Sequence, residues 1–103
     1  MSGILIVETR CTSPEDLAAY HDWYENVHIP EVLALDGFTS ARRLEALDGA
    51  SFLALYEVDG DVATAQATLT KAQQSGAMAR PVGVALDPPP TARYFQALSP
   101  SGG

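Results

Sequence analysis

The chain has 103 residues, a formal net charge of −7 with six Lys and Arg, and 47% hydrophobic against 18% charged residues. That length suits one domain with much surface left for partners to cover, and the composition argues against disorder and, lacking a long apolar run, against a membrane span. So few basic residues on an acidic chain argue against nucleic acid, whose binding draws most of its affinity from Lys and Arg.

In chain order, "ILIVETR" (4–10) is a β-rich run with no basic region before it, so the N-terminus reads as a strand rather than a signal peptide. Cys11 is the single cysteine, which excludes an internal disulfide and makes a reducing cytoplasm the expected location. "TSPEDL" starts a helix, with Ser13 as N-cap, Pro14 at the first helical position and Asp16 three residues past the cap. Steps of 100° from Leu17 put Tyr20, His21, Tyr24, Val27 and His28 on the inward face, Trp23 on its flank, and Ala19, Asp22 and Asn26 behind. Pro30 cannot continue a regular helix, so a break is expected at His28–Ile29, followed by a short second helix, "PEVLAL".

After Gly37, "FTSARRLEAL" (38–47) and "SFLALYEV" (51–58) flank "DGA" and predict an antiparallel hairpin. "DGDVATAQATLTKAQQSG" predicts a second long helix, with Val62, Ala65, Leu69 and Ala72 at helical spacing and Gly76 as its stop. The short apolar piece inside "ARPVGVALDPPP" has no clear place, "TARYFQAL" (91–98) is a fourth strand, and "SPSGG" (99–103) reads as a frayed tail after a single domain spanning 1–98.

The order β-α-β-β-α-β suits an α+β, ferredoxin-like arrangement: a four-stranded antiparallel sheet with two helices on one face. Alternation places Ile4, Ile6, Phe52, Ala54 and Tyr56 on one side of their strands and Leu5, Val7, Leu53 and Leu55 on the other, so both sheet faces carry apolar residues. A bare apolar sheet face implies a partner, most simply a second copy.

Together with that order, the segment "YHDWYENVHIPEVLALDGFTSARR" (20–43) resembles the dimeric α+β barrel superfamily, and within it the EthD-like and muconolactone-isomerase-like groups. The resemblance implies a homodimer packed sheet against sheet, with a small pocket in each subunit between sheet and helices. "HIP" at 28–30 looks like the H-x-P element of these proteins, whose histidine lines the pocket and serves as acid or base in several cofactor-independent members. Only His28 carries over by this match. Members include isomerases, polyketide cyclases, dehydratases, oxygenases and proteins with no known reaction.

A buried histidine is ordinarily a hydrogen-bonded core residue, but the break at Pro30 and the resemblance together favour a pocket role for His28, with one ring nitrogen oriented by freed backbone groups and the other left for a ligand. His21 stays closer to the core reading, as a possible pocket wall. Tyr24 is an equal choice between core filling and presenting its hydroxyl to a bound carbonyl or phenol; for Tyr20 core filling is favoured, and Trp23 reads as packing on the pocket flank. Arg42 and Arg43 must point to opposite sheet faces, so only one can reach the pocket, and the sequence does not decide which. An ion pair with Glu8 or Glu57 is the favoured reading of both, with Arg43 the candidate to bind a substrate oxygen. The alanines at 63, 65, 67 and 72 either leave room for a ligand or pack closely.

Two histidines seven residues apart, about 10 Å along a helix, do not make a metal site, and no phosphate-binding loop or nucleophile motif occurs. No cofactor and no metal are expected. The residues therefore predict a small-molecule pocket in which His28 moves a proton next to a carbonyl while a tyrosine or arginine steadies the oxyanion. Isomerisation, cyclisation, dehydration or lyase chemistry on a small aromatic, polyketide-like or lactone-like compound would suit it; a non-catalytic binding or accessory protein is the alternative, and an oxygenase without a cofactor is a third.

Overall fold

The computed structural model describes residues 2–98. Strands β1 (Gly3–Thr9), β2 (Phe38–Glu45), β3 (Phe52–Val58) and β4 (Thr91–Gln96) form one sheet in the order β2-β3-β1-β4, with every neighbouring pair antiparallel. This is the expected ferredoxin-like arrangement, with strand ends within a few residues of those the sequence suggests; the tail at 99–103 lies outside the described residues.

The first helical layer differs from expectation. A 3-10 turn at Pro14–Asp16 leads into α1 (Leu17–Trp23), a π turn (Tyr24–His28) and α2 (Ile29–Leu33) without a break. His28 and Ile29 keep right-handed helical angles, φ −70° and −59°, and the Ile29 N–H donates to the carbonyl of Tyr24, five residues back. In an α register the Pro30 ring would crowd the carbonyl four residues earlier. The wider turn relieves that crowding and lets the helix run through. Ser13 does not cap a backbone N–H; its hydroxyl donates to Asp16 instead, at 2.9 Å.

The other long helix, α3 (Val62–Gln74), matches expectation at both ends: Asp61 accepts from the Thr64 N–H at 3.0 Å, and Gly76 follows with φ +77°. Val62, Ala65 and Leu69 are buried, whereas Ala63 and Ala67 are exposed and line no interior space. The unplaced piece of the connection crosses beside α1, where Val84 bridges Cys11 and the Thr12 N–H donates to the Gly83 carbonyl. A Cβ on Gly83 would lie 2.9 Å from that of Tyr20, and its φ is +73°, so this crossing needs glycine.

The core lies between the helices and one sheet face, where Leu5, Ala54, Tyr56 and Val58 meet Tyr20, Trp23, Tyr24, Val32 and Leu69. The opposite face carries Ile4, Ile6, Leu53 and Leu55, with Leu44 and Phe95 each 39% exposed. Among the described residues, no helix is long and apolar enough to cross a membrane.

A bulge in β2 decides which arginine turns inward. Phe38 is opposite Val58, but Ser40 is opposite Glu57, so one residue, Thr39, is extra on the β2 side. Phe38 is buried, and strict alternation from it would send Arg42 inward. The extra residue switches the parity, so Ala41 and Arg43 face the helices and Arg42 faces out.

Candidate functional site

Polar side chains gather in two clusters that share Tyr24. The inner cluster lies between α1 and the β2-β3 side of the sheet. The Arg43 side chain is 13% exposed, and its guanidinium carbon sits 4.6 Å from the centre of the Tyr24 ring, 5.3 Å from Tyr20 and 5.7 Å from Phe52. Its Nη1 donates to Nδ1 of His21 at 2.8 Å and to Glu25 at 3.2 Å. Arginine only donates, so Nδ1 of His21 is the acceptor and the ring proton sits on Nε2. Tyr20 is fully buried and hydrogen-bonded to the Thr9 hydroxyl, a side chain rather than the carbonyl expected of a core tyrosine.

The expected ion pairs with Glu8 or Glu57 do not form. Both glutamates occupy the other sheet face, and Ser51 donates to Glu8. Arg43 is drawn instead to Glu25 of the π turn, and Arg42 makes no ion pair among the described residues.

The outer cluster faces a cleft of about 330 Å³ between the π turn and the segment after α3, lined by Trp23, His28, Gln73, Met78, Arg80 and Pro81 among others. Trp23 and His28 stack with ring centres 4.7 Å apart, and Tyr24 meets His28 edge to face at 5.2 Å. These contacts, not freed backbone groups, hold the imidazole: Nδ1 of His28 is buried without a hydrogen-bond partner. Glu31 carries the far wall by accepting from the Ala79 N–H at 3.0 Å.

Burial moves the titrating groups in one direction, toward neutrality. His28 is held below the ordinary imidazole value by burial, partly opposed by Glu31. Tyr24 is pushed up to about 12 by burial and then by Tyr20, with Thr9 and Arg43 pulling the other way. Tyr56 is pushed up by burial and then by Tyr24. At neutral pH the site therefore presents a neutral imidazole, protonated phenols and a guanidinium.

Of the residues singled out from sequence, Tyr20, His21, Tyr24 and Arg43 come together in the inner cluster, and Trp23 and His28 in the outer one. Sequence reasoning passed over Thr9, Phe52 and Tyr56, although Phe52 and Tyr56 share strand parity and their face was legible. The cleft's far wall has no local signal, being made by a loop brought back against the π turn. Among the described residues no three of His, Cys, Asp and Glu gather closely enough to hold a metal ion.

Solved structures resemble the whole architecture. Rv0793 from Mycobacterium tuberculosis aligns over 97% of this chain and 99% of its own, with a TM-score of 0.59 and 15% identity. The chain shares its ferredoxin-like α+β fold with that structure. A monooxygenase from the gene ActVA-Orf6 of Streptomyces coelicolor, in complex with the ligand nanaomycin D, shares this fold at a TM-score of 0.52, with 20% identity over 96% of this chain and 93% of that one. No family model and no curated protein matches the sequence. At such identities the likeness concerns the fold, and any activity has to be argued from the clusters themselves.

Proposed function

We propose that the protein is an enzyme that moves a proton on a small aromatic, polyketide-like or lactone-like carbonyl compound, with His28 as the general base. One observation carries this reading: the His28 imidazole, which burial keeps neutral, is clamped between Trp23 and Tyr24 at the wall of a cleft. Such a group takes a proton from an acidic C–H or O–H beside a carbonyl and returns it elsewhere on the substrate. Tyr24, kept protonated, is the second catalytic candidate, as a donor to the developing oxyanion. The chain acts as a homodimer closed through Ile4, Ile6, Leu53 and Leu55, because this apolar group on the outer sheet face bears no helix.

The likeness to a monooxygenase holding nanaomycin D favours a second reading in which the same proton transfer starts an oxygenation. Here His28 deprotonates a phenol with a free para C–H, and the phenolate gives its electrons to O2. One oxygen atom replaces the para hydrogen to give a quinone, and the other leaves as water with the two hydrogens.

The test is turnover of a panel of small phenolic, lactone and β-dicarbonyl compounds by the parent and by His28→Gln, with O2 uptake followed alongside. The expected result is a loss of about a hundredfold or more in kcat for a folded His28→Gln protein, the usual contribution of a positioned acid or base. O2 uptake selects the second reading. Full activity in folded His28→Gln removes His28 as the base, and binding without turnover in the parent makes the protein an accessory binder.

A further inference from the structure

Arg43 is more elaborately placed than an ion pair with an exposed glutamate requires. Only Nη1 is used, by His21 and by Glu25, whose side chain is 61% exposed at the rim. Nε and Nη2 are buried and have no protein partner. These two nitrogens form one edge of the planar guanidinium, the edge that carries two parallel N–H groups spaced for two oxygens. Leaving such donors buried and unpaired is expensive. Tyr56 lies on the same sheet face, diagonally across from Arg43 through the Ala54 pairing, and its buried hydroxyl has no partner either.

We infer that the free edge of Arg43, together with the Tyr56 hydroxyl, is a recognition point for a planar anion with two oxygens: a carboxylate or the enolate of a 1,3-dicarbonyl group. Two N–H donors face the oxygen pair, and Tyr56, which burial keeps protonated, supplies a third donor. The Tyr20, Tyr24 and Phe52 rings around the guanidinium exclude water and strengthen the attraction. His21 and Glu25 hold Nη1 and so turn the opposite edge inward. This deepens the proposed function by naming the substrate class, and it rests on that reading only in requiring a small molecule between helix and sheet, not in requiring His28 to be the base.

The experiment is calorimetric titration of the whole protein at neutral pH with benzoate, with 2-acetylcyclohexane-1,3-dione, whose enolate holds an acetyl and a ring oxygen side by side, and with benzamide as the uncharged counterpart of benzoate. The expected result is that at least one of the two anions binds, with benzamide weaker than benzoate by about tenfold or more where benzoate is the one. Benzoate alone assigns the carboxylate and the dione alone the enolate. Arg43→Lys, which keeps the charge but loses the two-donor edge, should weaken the bound anion by about tenfold or more, and Tyr56→Phe should weaken it by a smaller factor. Failure of both anions to bind, benzamide binding as well as benzoate, or an undiminished affinity in folded Arg43→Lys overturns the inference. If Arg43→Lys does not fold, the benzamide comparison in the parent and Tyr56→Phe decide it. Anion binding that persists in His28→Gln without turnover in the parent supports this site while removing the enzymatic reading. His28-dependent turnover of neutral compounds alone, with no anion bound, does the reverse.

Discussion

Trp23 and His28 are five residues apart in the chain, yet their rings stack at 4.7 Å with planes 23° from parallel. In a regular α-helix such residues lie about 140° apart around the axis and do not touch. The π turn closes that angle, and the turn exists because Pro30 follows it. The proline thus brings about the contact that holds the proposed base.

Because Trp23 is the single tryptophan, the protein's tryptophan fluorescence comes from the ring stacked on His28. Imidazolium quenches a stacked indole more strongly than imidazole does, so emission should fall on acidification with a midpoint below about 6.5, the ordinary histidine value. A titration of the parent checks this, and His28→Gln should show no such step. A step that survives in His28→Gln would mean that the stacked pair is not its source.

The same burial sets a pH dependence of stability. The folded state holds His28 below about 6.5 while the unfolded chain titrates at about that value, so on acidification the unfolded state takes up the proton first. The stability attached to neutral His28 is present above about pH 6.5 and is lost as pH falls toward the folded value. Melting temperatures at about pH 7.5 and 5.5 should therefore drop more in the parent than in His28→Gln. Glu31, which faces His28 and raises its proton affinity, keeps the loss smaller than burial alone would make it.

Two tyrosine hydroxyls should respond oppositely to removal. Tyr56→Phe deletes a buried hydroxyl without a partner and should leave the unliganded protein as stable or raise it by about 1 kcal/mol. Tyr20→Phe strands the buried Thr9 hydroxyl and should lower stability by about 1 kcal/mol. For a domain of this size each kcal/mol is about 4–8 °C in Tm, within reach of calorimetry. Equal losses in both variants would mean that Tyr56 has a partner in solution.

Light scattering at micromolar concentration should give twice the chain mass, since Ile4, Ile6, Leu53 and Leu55 form an apolar group on a sheet face that bears no helix. Leu55→Glu, placed at the centre of that face opposite Ile6 and Arg42, should give a folded monomer. A parent that stays monomeric on concentration removes the dimer.

The strands, the hairpin and α3 were legible because their signals are local: alternation in "SFLALYEV", the "DGA" turn, the Asp61 cap and the Gly76 stop. So were the element order and the inward face that carries Tyr20 and Tyr24, since side-chain period follows from backbone geometry alone. What only the tertiary structure decided was register. Pro30 announces that an α hydrogen bond must be lost, but whether the helix breaks or widens depends on what its packing rewards, and burying Tyr24 and Trp23 against the sheet favours the unbroken path. Likewise "ARR" says that the two arginines part company, and the one extra residue at Thr39 sends Arg43 rather than Arg42 inside. A single-residue shift in a helix or strand leaves composition and periodicity almost unchanged, yet it rotates every later side chain, and that rotation set both Arg43 and His28 in place.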